Sequence, residues 1–374
     1  MRAREQTQVQ TLTMIDVDVE RLRALGLTPA LAGLAAGMPV PDDGPSCHLM
    51  RLTEVHRESV RLHDGLVQHS ARAAQRLLRT LDDDETALAV GDWVLCSAVS
   101  PPELTVQALV PRLAHIARRD ADGRRHPVVS NVDTALLVMG LDDDFNLRRL
   151  ERYLALVHGT GVMPVIVLTK CDVVAGEMVE ARRAALQGRA AAAIDALVVN
   201  ATHADAAVAL EPYTSAGQTL VLLGSSGAGK STLTNTLLGA ATQDTGAVRE
   251  HDGRGKHTTT ARSLHCLPGG ACVIDTPGLR ALRPDVDEAT LSASFADIEL
   301  LAAQCRFRDC RHRDEPGCAV REGVDGDRLR NYHKLLREAR RDSLTLLERQ
   351  QQLSQWKART KASRARLKDK RGVS

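Results

Sequence analysis

The sequence is poor in aromatic residues and has no long apolar runs. Only 2% of its 374 residues are Phe, Trp or Tyr, which argues against nucleic-acid recognition by stacking bases on aromatic side chains. No stretch approaches the roughly 18 apolar residues of a membrane-spanning helix, and the N-terminus lacks the apolar core of a signal peptide. We therefore expect a cytoplasmic protein with no membrane partner. In such a reduced compartment, clustered cysteines among the eight present indicate metal ligands before disulfides.

The charges are balanced overall but not along the chain. Lys and Arg number 49 against 47 Asp and Glu, for a net charge of +2. Residues 349–374 contain nine basic residues and one acidic residue, a net charge of +8, so the rest of the chain carries −6. This basic tail predicts a polyanionic partner, and the alternative is a solvated chain end.

The pattern of apolar residues changes along the chain. Strand-like segments at Val90–Cys96 and Leu104–Val110, separated by Pro101-Pro102, indicate a small β-barrel. Strands then alternate with helices, which favours a parallel α/β sheet. The predicted strands are Ala135–Met139, Val165–Leu168, Ala196–Val199, Leu220–Leu223 and Ala271–Ile274, and the predicted helices are Asn146–Val157, Glu177–Gln187 and Thr232–Leu238. After Asp285 the chain becomes helical and rich in cysteine.

A phosphate-binding loop follows the predicted strand Leu220–Leu223. The segment from Gly224 to Thr232 matches G-x-x-x-x-G-K-[ST] between a strand and a helix. Glycines let backbone N–H groups face phosphate oxygens, and the helix N-terminus adds its dipole. Lys230 can bridge the β- and γ-phosphates and Ser231 can bind Mg²⁺. The predicted phosphate-binding residues are Gly224, Ser225, Ser226, Gly227, Ala228, Gly229, Lys230, Ser231 and Thr232.

A second motif indicates which base is bound. Thr169, Lys170, Cys171 and Asp172 follow a predicted strand and match the [NT]-K-x-D element of GTPases. A carboxylate such as Asp172 can accept hydrogen bonds from N1–H and the 2-amino group of guanine, a donor pattern that adenine lacks. Asn200 and Ala201, after another strand, are predicted to contact the base as well.

Two further loops fit the switches of a GTPase. Asp275-Thr-Pro-Gly278 matches D-x-x-G, where Asp275 would hold Mg²⁺ through water and the Gly278 N–H would sense the γ-phosphate. The polar loop Gly253–Thr260 would be switch I and supply a second Mg²⁺ ligand, either Thr259 or Thr260.

The order of the motifs is unusual, because the base-reading motif precedes the phosphate-binding loop. This order predicts a circularly permuted domain whose switches run directly into the C-terminal region. Leu279 occupies the position where Ras-like enzymes carry a water-orienting Gln, which predicts slow intrinsic hydrolysis. The predicted catalytic residues are Lys230, Asp275 and His257, of which His257 is the candidate to orient the water. The alternative is that His257 is a loop histidine without a catalytic role.

Four metal-ligand side chains lie close together near the C-terminus. Cys305, Cys310, His312 and Cys318 are a complete tetrahedral set of the kind that structural Zn²⁺ prefers, with no open position for catalysis. Cys310 and His312 are too close to share one helical face, so we expect a loop between helices. The five other cysteines are dispersed, and we interpret them as ordinary core or loop residues.

Taken together, these motifs resemble the ribosome small-subunit-dependent GTPase A family. The resemblance rests on the permuted order, Gly253–Thr260, Asp275–Gly278, the segment Cys305–Val320 and Asn131-Val-Asp133. It implies an N-terminal OB-fold barrel, a permuted GTPase domain, a zinc domain, and binding to the small ribosomal subunit and its rRNA late in its maturation. The resemblance also implies that the subunit stimulates hydrolysis. The sequence departs from the family pattern at Thr169, where Asn is usual, and at Asn200, where Ser is usual.

The predicted fold is therefore multidomain α/β: an OB-fold β-barrel, a circularly permuted P-loop GTPase domain and a C-terminal helical zinc domain. The predicted segments are a variable extension at 1–44 (partly helical around Val19–Leu34), the barrel at 45–128, the GTPase domain at 129–284, the zinc domain at 285–348 and the basic tail at 349–374. We expect a monomer that binds GTP and GDP with Mg²⁺, and one structural Zn²⁺. The alternatives are a GTP-gated RNA-binding module without turnover, and a P-loop ATPase or small-molecule kinase.

Overall fold

The computed structural model describes residues 15–39, 47–100, 103–120, 124–187, 194–239, 262–278 and 283–342. The predicted switch I loop with His257, Thr259 and Thr260, as well as Leu279 and the basic tail, lies outside the described residues. Within the described ranges, no helix combines the length and the apolar character needed to cross a bilayer.

The first described segment packs against the barrel through two short helices. Its elements are β1 (Ile15–Asp16), α1 (Val19–Arg23) and α2 (Pro29–Ala36). Side chains of Asp18 and Thr28 accept N-cap hydrogen bonds at the start of the two helices. The helix predicted around Val19–Leu34 is thus interrupted. Gly26 adopts φ +83° there, and a Cβ at this position would collide with the guanidinium of Arg51.

A five-stranded barrel follows. Its elements are β2 (Cys47–Val55), β3 (Val60–His63), β4 (Gln68–Ala73), α3 (Gln75–Asp83), β5 (Trp93–Ser100) and β6 (Glu103–Leu109). The strands pair in the closed order β2-β3-β4-β6-β5-β2, with only β4 and β6 parallel. Leu52, Leu62 and Trp93 are fully buried inside. This topology, with a helix between β4 and β5, confirms the predicted OB-fold barrel.

A β-hairpin separates the barrel from the next domain. Strands β7 (His115–Arg119) and β8 (Arg125–Ser130) pair antiparallel in a second, three-stranded sheet, whose third strand comes from the C-terminal region. The predicted domain boundary at residue 128 falls inside β8. This boundary and those at residues 44, 284 and 348 remain predictions.

The central domain is a six-stranded α/β sheet. Its elements are β9 (Thr134–Gly140), α4 (Leu147–Val157), β10 (Met163–Thr169), α5 (Gly176–Gln187), β11 (Ala196–Val198), α6 (Asp205–Ala209), β12 (Thr219–Gly224), α7 (Lys230–Leu238), β13 (Ser263–Cys266) and β14 (Cys272–Asp275). The strand order is β11-β10-β9-β12-β14-β13, and all neighbours are parallel except β13 and β14. Strands β9 and β12 are buried along their whole length, as expected for a sheet covered on both faces.

The barrel and the central sheet are continuous. Strand β13 pairs with β2 where Ser263 lies opposite Glu54, so that both units belong to one twelve-stranded sheet. One apolar cluster runs through both, from Leu52 in the barrel to Leu137 and Ile274 in the central sheet. The two units therefore share a core.

The C-terminal region is helical and has a separate core, as predicted. Its elements are β15 (Arg283–Pro284), which pairs with β7, and the helices α8 (Glu288–Ala293), α9 (Ala296–Ala302), α10 (Ala319–Gly323) and α11 (Gly326–Asp342). Phe295 and Tyr332 pack with their ring planes tilted by 59° and their centroids 5.2 Å apart, and Ile298 and Leu335 are buried in the same cluster.

Candidate functional site

The predicted nucleotide-binding residues meet at one edge of the central sheet. Strands β9, β10, β11, β12 and β14 run parallel, so their carboxyl ends lie together. The base-reading motif follows β10, Asn200 follows β11, the phosphate-binding loop follows β12, and Asp275 ends β14. This is the edge where open α/β sheets bind ligands. Sequence segments more than 100 residues apart thus form one site.

Backbone geometry shapes the phosphate-binding loop. Gly227 and Gly229 have φ angles of +81° and +94°, which side-chain-bearing residues rarely adopt. Helix α7 starts at Lys230, and no side chain caps its N-terminus. Its first N–H groups and its dipole are therefore directed toward the position a phosphate would take.

Lys230 is held inside this loop. Its side chain is only 6% exposed, and Nζ donates to the carbonyl oxygens of Gly224 (3.1 Å) and Ser225 (2.7 Å). Burial lowers the pKa of Lys230 to about 8, although the charges of Asp275 and Asp144 favour the protonated form. The lysine is thus pre-positioned beneath the loop, where β- and γ-phosphates would take over its hydrogen bonds.

Two of the residues predicted to hold Mg²⁺, Ser231 and Asp275, are adjacent. The Ser231 hydroxyl donates to Asp275 Oδ2 over 3.0 Å, and Asp275 is fully buried at the end of β14. A hydroxyl beside a buried carboxylate at the N-terminus of α7 is a donor set that suits a hard divalent cation. Gly278 touches the loop so closely that a Cβ there would collide with the backbone nitrogen of Ser226. Only glycine fits this approach.

At the base-reading edge, Thr169 links two loops. Its fully buried hydroxyl donates to Ala228 O over 2.6 Å, which joins the end of β10 to the phosphate-binding loop. Asp172 is exposed at this edge. Asn200 accepts hydrogen bonds from the backbone and hydroxyl of Thr202, which orders the second turn.

The structure adds acidic residues that the sequence analysis missed. Asp144 Oδ1 accepts a hydrogen bond from Ser225 Oγ (2.5 Å) and contacts Arg149, while Asp142 Oδ2 forms a 2.7 Å ion pair with Lys170. Burial opposes ionisation of Asp142, but hydrogen bonds led by that from Lys170 outweigh it and lower its pKa. Both carboxylates follow the carboxyl end of β9. That placement was the available signal, because β9 ends at the same sheet edge as the other motifs.

The motif Asn131-Val-Asp133 lies away from this site, at the amino end of β9. Asp133 Oδ2 accepts from Thr219 N (2.7 Å), and Asn131 Nδ2 donates to Gly91 O of the barrel (3.1 Å). Its side chains therefore tie the barrel to the central sheet instead of contacting the nucleotide edge.

The four predicted zinc ligands converge in the loop between α9 and α10. The ligand atoms of Cys305, Cys310, His312 and Cys318 all lie within 4.8 Å of one another. Cys305 Sγ is 3.9 Å from Cys318 Sγ, and His312 Nδ1 is 3.6 and 3.5 Å from these two sulfurs. Tetrahedral Zn–S bonds of about 2.3 Å place sulfurs roughly 3.8 Å apart. The donor set and its spacing therefore fit one metal ion.

The loop itself is organised by a carboxylate. Glu315 accepts hydrogen bonds from the backbone N–H groups of Arg311, Arg313 and Asp314 at 2.8–3.1 Å. These backbone hydrogen bonds lower the pKa of Glu315 to about 2. His312 has φ +57°, a strained conformation that this loop sustains and that turns its ring toward the cysteines.

The five remaining cysteines are dispersed along the sequence, but the structure brings two of them together. Cys266 and Cys272 lie directly opposite each other on β13 and β14. Their sequence spacing gave no indication of it, because antiparallel pairing depends on where the hairpin turns.

Fold and site together define a circularly permuted P-loop GTPase. The family model described as RsgA GTPase matches residues 109–284. A small ribosomal subunit biogenesis GTPase RsgA from Xanthomonas axonopodis pv. citri is 51% identical over 257 residues, covering 67% of this chain and 69% of that protein. Its counterpart from Xanthomonas euvesicatoria pv. vesicatoria is 51% identical over 254 residues, covering 66% and 68%. The chain belongs to the RsgA GTPase family, and it hydrolyses GTP.

Solved structures are similar in fold. YjeQ from Thermotoga maritima aligns with a TM-score of 0.56 and 22% identity, covering 78% of this chain and 98% of that one. YloQ, a circularly permuted GTPase, aligns with a TM-score of 0.54 and 20% identity, covering 82% and 100%. These likenesses confirm the permuted architecture.

Proposed function

We propose that this GTPase acts in the biogenesis of the small ribosomal subunit, that the subunit stimulates GTP hydrolysis, and that hydrolysis releases the GTPase from the subunit. The single observation that carries the proposal is the set of GTPase motifs gathered at one edge of a permuted sheet, in a chain 51% identical over 257 and 254 residues to two proteins named for that process. We further propose that the barrel, the metal domain and the tail contact rRNA. The protein is proposed to be cytoplasmic and monomeric.

Within this site each group has a defined role. Lys230 would neutralise charge on the β- and γ-phosphates, and Ser231 and Asp275 would hold Mg²⁺, with Thr259 or Thr260 completing its ligands. Water attacks the γ-phosphate and yields GDP and phosphate. Leu279 supplies no group to orient that water, so His257 or the subunit would do so. Residues 169–172 with Asn200 and Ala201 would contact the guanine.

The deciding experiment measures GTP turnover with and without purified small subunits, with large subunits as a control. We expect stimulation of at least roughly tenfold by small subunits alone, because completing an NTPase site from outside has large effects on rate. Lys230→Ala should abolish turnover in both conditions. Equal rates with and without small subunits would contradict the proposal, and turnover that survives Lys230→Ala would contradict the site.

Base recognition by Asp172 has its own test. An Asn at this position presents an amide N–H toward the base edge, which suits the 2-carbonyl of xanthine better than the 2-amino group of guanine. We expect Asp172→Asn to bind xanthosine triphosphate in preference to GTP. If the wild-type protein binds ATP more tightly than GTP, the assignment of Asp172 to guanine recognition is contradicted and the ATPase alternative is favoured.

The Cys/His cluster is proposed to hold one structural Zn²⁺, because four ligands fill a tetrahedron and leave no open position. Elemental analysis of purified protein should give one zinc per chain. Cys310→Ser should lose the metal and destabilise the C-terminal core while nucleotide still binds. Full zinc content in that variant would contradict the ligand set.

The basic tail is proposed to contact rRNA phosphates. Removing residues 349–374 should weaken binding to small subunits and flatten the dependence of affinity on salt. The reason is that fewer phosphate contacts form on binding, so fewer counterions are released. An unchanged salt slope would make the tail a solvated chain end.

A further inference from the structure

Two cysteines outside the metal cluster form a cross-strand pair. Cys266 ends β13, Cys272 begins β14, and the two are direct partners in the antiparallel register. The next pair toward the turn is hydrogen-bonded, with Leu267 N donating to Ala271 O over 2.7 Å. The Cys272 N–H instead donates to Gln218 O, on the side of β12, over 2.8 Å.

Cys266 and Cys272 therefore occupy a non-hydrogen-bonded position of the ladder. At such positions the facing Cα atoms lie about 4.5 Å apart and the side chains are at their closest. A disulfide spans Cα separations of about 4.4–6.8 Å. The backbone thus already has the separation that a bond between the two sulfurs requires.

The two thiols have unequal surroundings. Cys266 is exposed, whereas Cys272 is fully buried with its Sγ 3.6 Å from Ala24 O. A hydrogen bond from Cys272 and the positive charge of Arg51 lower the pKa of Cys266 to about 7 against the effect of burial. The hydrogen bond to Cys266 and burial raise the pKa of Cys272. The sulfur of Cys266 is therefore accessible and readily ionised, and the neighbouring thiol of Cys272 stays protonated.

We propose that Cys266 and Cys272 are a redox-active dithiol that reduces a hydroperoxide and closes to a reversible disulfide. The Cys266 thiolate attacks one oxygen of hydrogen peroxide, breaks the O–O bond and becomes a sulfenic acid while hydroxide leaves. The sulfur of Cys272 then attacks the sulfenic sulfur, and its proton leaves with the departing oxygen as water. The hydroxide takes up the proton that Cys266 released on ionising, so that overall two thiols and one peroxide give one disulfide and two waters.

The position of the pair gives the reaction a structural consequence. Residues 240–261, which include the proposed switch I, lead into β13, and β14 leads into Asp275 and Gly278. The disulfide would fix the hairpin that connects the two segments. It would also remove the thiol hydrogen of Cys272, whose Sγ lies 3.6 Å from Ala24 O.

The test uses the full-length protein. Trypsin cleaves after Arg262 and Arg280, and the resulting peptide contains Cys266 and Cys272 but no other cysteine. After treatment with hydrogen peroxide and blocking of remaining thiols with a maleimide, mass spectrometry without reductant should find this peptide unlabelled and lighter by two hydrogens. Dithiothreitol should restore both thiols.

Matched variants distinguish the pair from general oxidation. Cys272→Ser should accumulate a sulfenic acid at Cys266 that dimedone captures, while Cys171→Ser should still form the disulfide. In unmodified protein at neutral pH, iodoacetamide should alkylate Cys266 about tenfold faster than the partly exposed Cys171. The proposal is overturned if peroxide oxidises the metal-cluster thiols while the 263–280 peptide keeps both maleimides, or if Cys266 and Cys171 react equally fast.

Discussion

The GTPase domain is joined to its two neighbours by different kinds of contact. On the barrel side, the sheet runs on without a break and one apolar cluster crosses the boundary. Arg51 lies fully buried there, and its guanidinium donates to Leu25 O, to Thr219 Oγ1 (2.8 Å) and to Asn131 O (2.8 Å). Burial lowers the pKa of this arginine. One cation thus satisfies acceptors from three parts of the chain.

On the C-terminal side, charged and polar side chains join helices α4 and α11, beside one buried alanine of α4, Ala155, which packs in the C-terminal core. Arg328 is 2% exposed and donates to Glu151 (2.8 Å) and Asp297 (2.6 Å), while Asn331 donates to Glu151 over 2.6 Å. More exposed ion pairs flank this network, namely Arg152–Glu338 and Arg148–Asp327.

The difference indicates which domain can move independently. Apolar burial is not screened by salt as charge pairs are, and it is lost only when the core opens. Ion pairs at a boundary gain less from contact, because they give up hydration, and exposed pairs weaken as salt rises. We therefore expect the barrel to unfold together with the GTPase domain, and the C-terminal domain to detach first.

The largest expected effect is at the barrel junction. Arg51→Ala leaves two buried acceptors and one partly buried acceptor without their donor and opens a cavity, which should cost about 3–5 kcal/mol in the free energy of unfolding. Urea denaturation measures it. Arg61→Ala, at an exposed position on β3, is the control and should change stability by less than about 0.5 kcal/mol. Equal losses of unfolding free energy in the two variants would contradict a stabilising role for Arg51 at the junction.

A smaller effect is expected at the buried end of the α4–α11 network. Glu151→Ala leaves Arg328 and Asn331 without a shared acceptor and should cost about 2–3 kcal/mol. Glu151→Gln keeps an acceptor oxygen and should cost roughly half as much. Hydrogen exchange should show the loss in α11 and leave β2 protected. Faster exchange in the barrel as well would show that the two junctions are not separate.

The half-buried pair Arg152–Glu338 should contribute less again. Arg152→Ala is expected to cost about 0.5–1 kcal/mol, since water partly screens the pair. The effect should shrink in high salt, whereas that of Arg51→Ala should not. Repeating the urea titrations at low and high salt tests both statements, and a salt-independent cost for Arg152→Ala would argue against a boundary held by charge.

The smallest expected effect is at the exposed pair Arg148–Asp327. Arg148→Ala should give no measurable change in stability, because both side chains are largely hydrated. A clear loss of α11 protection in this variant would mean that the surface pairs, and not Arg328, hold the C-terminal domain in place.

The sequence by itself determined the chemistry that contiguous residues carry. Glycines and a lysine at fixed spacing define the loop Gly224–Thr232, and four ligands within one short segment define the metal cluster. The buried strands were recognisable because both faces of a covered parallel sheet must be apolar. The permuted order could be recognised because the motifs keep their local form wherever the chain is opened.

Only the tertiary structure decided which distant residues meet. Arg51 and Thr219 are 168 positions apart, and Ser225 and Asp144 are 81 apart. Cys266 and Cys272 face each other only because the turn between β13 and β14 sets their register. Such contacts depend on strand order, register and burial, which are fixed when the whole sheet closes over its core. No local pattern encodes them, since each partner looks like an ordinary residue in its own segment.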